Sequence, residues 1–163
     1  MRVLEAVRHA DGYPAHWPDD PTQWLAPTEL LGAWVAEADG LVVGHLALRA
    51  GAAEPGARVW SEATGLPMER LASVTRFFVS PQSRGAGIGG ALLDAGCAEA
   101  TARGAHPVLD VVETDRDAIR LYEGRGWRRV HSEPWTAARD GKTLLHYYVA
   151  PLAASSRAAS PAA

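Results

Sequence analysis

The sequence predicts an α+β protein in which a mixed β-sheet carries helices on its faces. Three observations lead to this class: strand and helix patterns alternate in the middle of the chain, a short strand–helix–strand unit there implies a right-handed parallel pair, and Asp39-Gly40 between two apolar runs signals an antiparallel hairpin. A chain of 163 residues suits one core. We therefore expect a single domain over residues 1–152.

Composition and charge narrow the class of function. The formal net charge is −3, which does not fit a protein that binds a nucleic-acid backbone. The most apolar stretch, 41–48, is interrupted by Gly44 and His45 and is too short to cross a membrane. Cys97 is the only cysteine, which excludes an internal disulfide or a cysteine zinc cluster, and the histidines lack metal-binding spacing. We expect a cytoplasmic protein without a bound metal.

The N-terminal half has patterns of short strands and irregular segments. A strand is predicted at 2–8, and four prolines within 11–27 preclude a long helix there. Two strands, 34–38 and 41–48, flank the Asp39-Gly40 turn. The segment 50–67 is broken by Gly, Ala and Pro and is predicted to be a loop.

The second half alternates strands and helices more clearly. A helix at 88–103 should end at Gly104, and a later helix should begin with a side-chain cap from Thr114 or Asp115. The predicted strands are 74–79, 108–112, 127–133 and 144–149, the second helix is 117–123, and Asp140-Gly141 marks a turn. The Ala-, Ser- and Pro-rich tail, 153–163, is expected to be disordered.

A glycine-rich segment separates the strand 74–79 from the helix that follows. It reads Arg84-Gly85-Ala86-Gly87-Ile88-Gly89-Gly90. Glycines let a backbone approach a ligand closely, and the first amides of a helix attract anions. The segment is therefore a candidate pyrophosphate site, although a tight turn with close helix–sheet packing explains a lone glycine loop equally well.

A dinucleotide-binding site is a competing interpretation. Gly85, Gly87 and Gly90 have the G-x-G-x-x-G spacing, and Asp110 lies about 20 residues beyond them, where a ribose ligand is expected. Residues 80–84 separate the strand from the first glycine, however, and Asp110 lies inside its strand. Too few residues follow for a doubly wound sheet, so this interpretation is disfavoured.

Two blocks of the sequence resemble the GCN5-related N-acetyltransferase (GNAT) superfamily. Gln82-Ser83-Arg84-Gly85-Ala86-Gly87 is similar to its Q/R-x-x-G-x-G/A acetyl-CoA signature. Residues 115–127, DRDAIRLYEGRGW, resemble its N-x-x-A-x-x-L-Y-E-x-x-G-F/W segment, with Asp115 where the family often has Asn. The resemblance implies a three-layer α/β/α fold with a mostly antiparallel sheet of about seven strands and a splayed parallel pair.

The resemblance also implies a mechanism, in which an amine attacks the thioester of acetyl-CoA directly. The strand 74–79 would carry a bulge, and its backbone would pair with the pantetheine arm. The residues implied in cofactor binding are Phe77, Phe78, Val79, Arg84, Gly85, Ala86, Gly87, Ile88, Gly89, Gly90 and Asp115. A backbone N–H near Phe77 or Phe78 would stabilise the oxyanion, and Tyr122 would protonate the leaving thiolate. From the residues alone, a core tyrosine on the helix face shared with Ala118 and Leu121 is the favoured interpretation of Tyr122.

The acceptor is less well determined. Glu69, Glu113 and His45 are candidate bases, and a water chain is an alternative. The family implies an acceptor site formed by 13–31 and 134–143, where aromatic side chains would suit an apolar or cationic amine of a small molecule or peptide: Tyr13, Trp17, Trp24 and Trp135. A non-catalytic acyl-CoA-binding module on the same fold is the alternative function. Many members of the family dimerise, and no surface stripe here decides between a monomer and a homodimer.

Overall fold

Six strands form one mixed sheet in the computed structural model, which is described here over residues 2–27, 29–138 and 142–151. The sheet order is β1-β2-β3-β4-β6-β5. The strands are β1 Leu30–Ala38, β2 Leu41–Ala50, β3 Leu71–Val79, β4 His106–Val112, β5 Arg128–Pro134 and β6 Leu144–Val149. The helices are α1 Arg2–Asp11, α2 Pro21–Leu25, α3 Ala57–Thr64, α4 Ile88–Ala102 and α5 Arg116–Gly124.

Only β3 and β4 pair in parallel, and every other pairing in this sheet is antiparallel. The chain passes from β3 to β4 through α4, as a parallel connection requires. Asp39 and Gly40 have φ values of 51° and 72° in the β1–β2 turn, which confirms the predicted hairpin. The mixed sheet with helices on its faces is therefore as predicted.

Helices cover the two faces of the sheet differently. On the first face, α4 and α5 pack over the largest cluster of buried side chains, which includes Leu46, Leu93, Leu109 and Tyr148. On the opposite face, α3 packs through Trp60 onto the half of the sheet near β4 and β6. Further along this second face, α1 packs on β3 through Leu4, Val7 and Phe78. These layers match the three-layer arrangement that the family resemblance implied.

The prediction of a strand at 2–8 is wrong, because this segment forms the helix α1. Leu4 and Val7 are one helical turn apart and both bury against Phe78. The helix ends where Gly12 adopts a φ of 75°. With this strand replaced by a helix, the described sheet has six strands where about seven were expected.

The prediction of a loop over 50–67 is also wrong in part, since α3 lies within it. Gly56 precedes the helix, and Gly65 ends it with a φ of 69°. Trp60 is almost completely buried against Tyr147, with ring centroids 5.6 Å apart. Tertiary burial of one large side chain stabilises a short helix that composition alone did not reveal.

The remaining predicted elements are confirmed with small shifts of their ends. Gly104 has a φ of 70° after α4, and Glu99 accepts from Arg103 at 2.6 Å on its outer face. Asp140-Gly141 and the tail 153–163 lie outside the described residues. Within the described parts of the chain, no helix is both long and apolar enough to cross a bilayer.

Candidate active site

The central feature of the site is a gap between the parallel strands β3 and β4. The two strands pair only from Leu71 to Ser73 on one side and from His106 to Val108 on the other. Beyond Ser73, β3 continues to Val79 while pairing with β2 alone. The edge of β3 that faces β4 is therefore free to bind another extended chain along residues 74–79.

A β-bulge changes the direction of β3 beside this gap. The register of β3 against β2 shifts between His45 and Ala47, where Arg76 has a φ of 48°. Side chains hold this strained backbone: Arg76 Nε donates to the carbonyl of Trp24 at 3.2 Å, and its guanidinium lies 5.0 Å from the centre of the Trp24 ring. His45 Nδ1 lies 2.7 Å from the carbonyl oxygen of Arg76. The bulge expected from the family resemblance is thus present.

The glycine-rich loop lies at one end of the gap. Gly85 and Gly87 have φ values of 81° and 78°, and a Cβ at either position would meet nothing within 4 Å. Gly87 is also the residue that precedes α4, so the first amides of that helix, which lack intrahelical partners, follow directly after the loop. Arg84 ties the loop down by donating to the carbonyl of Val79 at 3.3 Å and pairing with Asp11 of α1.

Tyr122 lies on α5, on the first face of the sheet. Its ring packs among Phe77, Trp127 and Tyr148, with centroids 6.3, 5.8 and 6.2 Å away. Burial raises the pKa of its hydroxyl well above the ordinary value of 10.0, and the nearby Asp115 carboxylate adds to the shift. No hydrogen bond to this hydroxyl is found among the described residues. The group is therefore protonated at neutral pH and has no partner within that part of the chain.

Asp115 is the residue that caps the start of α5. Its side chain accepts from the amide of Ala118 at 3.5 Å and so caps the helix, as predicted for this position. Burial raises the pKa of the Asp115 carboxyl. Its charge acts on both Tyr122 and Tyr13, which places these three residues around one region of the protein.

The three bases suggested by the sequence are placed very differently. Glu69 is exposed in the turn before β3, at the strand end opposite to Val79. Glu113 accepts from the amide of Leu144 at 2.8 Å and so serves the β4–β6 pairing. His45 is buried beside the bulge and stacks on Phe78 at 5.4 Å, and burial lowers its pKa. Of the three, only His45 lies beside the bulge of β3, and its Nδ1 is engaged with the carbonyl of Arg76.

The four aromatic residues suggested for the acceptor do not form one pocket. Tyr13 and Trp24 pack edge to face at 5.9 Å, and Tyr13 also contacts Phe78 at 6.3 Å. Trp135 contributes instead to a shallow surface depression of about 340 Å³ together with Arg8 and His16. Trp17 is 40% exposed. The structure therefore brings together Tyr13 and Trp24 next to the bulge.

Two residues beside the gap were missed as site candidates: Arg76 and Asp110. Arg76 lacks any sequence signal, because its importance comes from the backbone bulge. Asp110 had one, since it is the only charged residue in the apolar stretch 107–112 of β4, where it is exposed between the buried Leu109 and Val111. It had been considered only as a ribose ligand.

The described residues contain no cluster of metal-ligating side chains, and Cys97 is partly buried. No group of three or more His, Cys, Asp or Glu side chains is arranged to hold a metal ion in that part of the chain. Burial raises the pKa of Cys97 to about 11, so this residue is a packing thiol in α4.

Solved structures share this architecture at low sequence identity. YncA from Salmonella typhimurium, solved with its cofactor acetyl-CoA, is 22% identical with a TM-score of 0.68, over 99% of this chain and 91% of that one. The ribosomal-protein-S18-alanine N-acetyltransferase from Escherichia coli is 17% identical with a TM-score of 0.66, over 96% and 92%. No curated protein matches the sequence significantly.

A larger protein from Bacillus anthracis str. Ames, assigned as a streptothricin acetyltransferase and solved in complex with acetyl coenzyme A, is also similar. It is 14% identical with a TM-score of 0.56 over 72% of this chain, which spans only 60% of that protein's length. At these identities the likeness shows the fold. The sequence itself matches the model of the acetyltransferase (GNAT) family over residues 2–127. This chain therefore belongs to the GNAT family of acetyltransferases.

Proposed function

We propose that this protein transfers the acetyl group of acetyl-CoA to the primary amine of a small molecule or peptide. One observation carries the proposal: the unpaired edge of β3 runs toward a glycine loop at the N-terminus of α4. A strand edge can hold an amide-containing arm, and the helix start can hold phosphates. Acetyl-CoA has both parts in this order.

The residues of the loop fit a pyrophosphate. A Cβ at Gly85 or Gly87 would project into open space, so the backbone there is accessible to a ligand. The amides between Arg84 and Gly90 would bind the phosphate oxygens. The backbone of Phe77, Phe78 and Val79 would pair with the pantetheine arm as an additional strand. Asp115, at the mouth of the gap, would accept a hydrogen bond from the arm where the family's Asn also donates one.

Two groups of the chain would act on the thioester. A backbone N–H at the bulge, at Phe77 or Phe78, would donate to the oxyanion that forms when the amine attacks the carbonyl carbon. Tyr122 would give its proton to the departing thiolate. Its raised pKa keeps the hydroxyl protonated at neutral pH, so a proton is available when the thiolate departs.

Calorimetric titration with acetyl-CoA, and with NAD as the control, tests the proposal first. We expect micromolar binding of acetyl-CoA and no binding of NAD. A panel of primary amines, followed by detection of the released CoA thiol, then tests turnover. Failure to bind acetyl-CoA would overturn the cofactor assignment. Tight binding with no thiol release from any amine would favour a non-catalytic acyl-CoA-binding module.

A further inference from the structure

We propose that Asp110 binds the ammonium group of the acceptor and removes its proton, on the face of the sheet opposite to Tyr122. The acceptor class that fits is a primary amine with an apolar or aromatic body. This inference rests on the proposed function, since it concerns the same reaction.

The position of Asp110 follows from strand geometry. Pairing between β3 and β4 ends at Val108, and Asp110 is two residues further along β4, beside the gap. Leu109 and Val111 bury in the cluster under α4 and α5, whereas Val108 buries on the α3 side. Side chains alternate along a strand, so Asp110 lies on the face of Val108. Tyr122, which packs in the first cluster, approaches the gap from the other face.

Five other segments act on Asp110 electrostatically. They contribute Arg76 on β3, Tyr13 after α1, Glu54 before α3, Tyr147 on β6 and Tyr122 on α5. Desolvation, followed by the charge of Glu54, raises the pKa of Asp110 to about 6, and the residue is exposed, so an acceptor can reach its carboxylate. A carboxylate with this pKa is ionised at neutral pH and is a stronger base than an ordinary aspartate.

The polar groups around Asp110 are engaged elsewhere. Glu54 accepts from Arg49 at 2.6 Å, and the Tyr147 hydroxyl donates to Glu133 at 2.5 Å. The Arg76 guanidinium donates to the Trp24 carbonyl and to the Thr75 hydroxyl. Beyond its own backbone amide, the Asp110 carboxylate has no hydrogen-bond or ion-pair partner among the described residues. An incoming cation would supply one.

The same face offers an apolar wall for the rest of the acceptor. Tyr13 and Trp24 pack edge to face at 5.9 Å, and Phe78 adjoins Tyr13. Tyr13 interacts with both Asp110 and Asp115, which locates this aromatic pair near the carboxylates. Aromatic faces and a carboxylate together favour an ammonium ion attached to an apolar body.

The proposed step is balanced in protons and bonds. The ammonium group gives one proton to the Asp110 carboxylate, and the freed lone pair forms the N–C bond at the acetyl carbonyl. The C–S bond then breaks, the thiolate takes a proton from Tyr122, and the second amine proton restores the tyrosine. Asp110 releases its proton to water, so the products are the amide, CoA thiol and one proton.

The test measures how Asp110→Asn changes the acetylation of two amines of similar shape. In 2-phenylethylamine the ammonium is a weak acid, whereas in 2,2-difluoro-2-phenylethylamine the fluorines make it a much stronger one. We expect Asp110→Asn to lower kcat/KM about a hundredfold for the first amine and less than tenfold for the second. Asp110→Glu should recover part of the loss. The acidic limb of the wild-type pH profile, near pH 6, should disappear in Asp110→Asn.

Asp39→Asn is the matched control, because it removes the same charge at a left-handed turn position that Asn tolerates. It should behave as wild type. Equal losses for both amines, or an unchanged acidic limb, would overturn the role of Asp110 as base. Failure of the wild-type protein to acetylate either amine while it still binds acetyl-CoA would overturn the acceptor class. Failure to bind acetyl-CoA would instead overturn the proposed function itself.

Discussion

The two faces of the sheet meet the same gap with different chemistry. The face toward α4 and α5 offers a glycine loop and Tyr122, which come from two contiguous segments, 84–90 and 115–127. The face toward α1 and α3 offers Tyr13, Arg76 and Asp110, which are far apart in sequence and come from three different segments. The residues of the proposed cofactor side are therefore close together in the sequence, whereas those of the proposed acceptor side are brought together by tertiary packing.

The variant with the largest expected effect removes the hydroxyl of Tyr122, on the face of the sheet toward α4 and α5. We expect Tyr122→Phe to lower kcat about a thousandfold while changing acetyl-CoA affinity less than threefold, because a general acid acts only as the thiolate leaves. Steady-state kinetics and calorimetry measure the two quantities. Tyr148→Phe is the control, since it removes another hydroxyl from the same cluster, one that donates to Glu123 at 2.8 Å. Equal activity losses in both variants would indicate a packing role for Tyr122.

The second test concerns the glycine loop. Gly87→Glu should weaken acetyl-CoA binding by about a hundredfold, because it adds a carboxylate beside the helix amides and strains a φ of 78°. Gly65→Glu has the same kind of strain, at a φ of 69° in open space after α3. It should destabilise the protein similarly and leave affinity unchanged. Calorimetric titration of each folded variant measures its affinity for acetyl-CoA. An unaltered affinity in Gly87→Glu would contradict the assignment of this loop as the pyrophosphate site.

The third test concerns Asp110, on the face toward α1 and α3, and measures the free energy of unfolding. The pKa of Asp110 is raised from 3.8 to about 6, so the folded state holds this proton more tightly than the unfolded state. Stability is therefore lost as pH rises from about 4 to about 6, and Asp110 destabilises the protein at pH 7. After allowance for solvent screening, Asp110→Asn should stabilise the protein by about 1 kcal/mol at pH 7.

Urea denaturation at two pH values measures this effect. The stabilisation by Asp110→Asn should be present at pH 7 and largely absent at pH 4, where the carboxyl of the native protein is already protonated. If the free energies of unfolding of Asp110→Asn and the wild type differed equally at both pH values, the Asp110 carboxylate would not be destabilised by its surroundings.

The smallest expected effect concerns Asp115, at the start of α5. Asp115→Asn keeps a helix cap of equal strength but removes a negative charge near Arg84 and Tyr122. Because acetyl-CoA is anionic, we expect about threefold tighter binding, which is less than 1 kcal/mol. Glu62→Gln, which removes an exposed negative charge that pairs with Arg58 on α3, should have no effect. Weaker binding in Asp115→Asn would mean that the arm requires a carboxylate at this position and that an amide oxygen does not replace it.

The sequence predicted some parts of the fold well and others poorly. Periodic or uniformly apolar segments such as α4 and β4 were found, because their burial pattern is set by residues close in the chain. The helices α1 and α3 were missed because each is held by tertiary burial, α1 through Leu4 and Val7 and α3 through Trp60. Short helices gain little from intrinsic propensity, so local patterns identify them poorly.

Within the site the same division holds. The sequence by itself determined the glycine loop, the position of Tyr122 on a helix and the family to which they point, because each depends on a contiguous run of residues. Only the tertiary structure decided that β3 separates from β4 after Ser73, that Arg76 forms the bulge, and that Asp110 lies close enough to Tyr13 to act on it electrostatically. Strand divergence and charge proximity are properties of elements distant in sequence, and no local spacing encodes them.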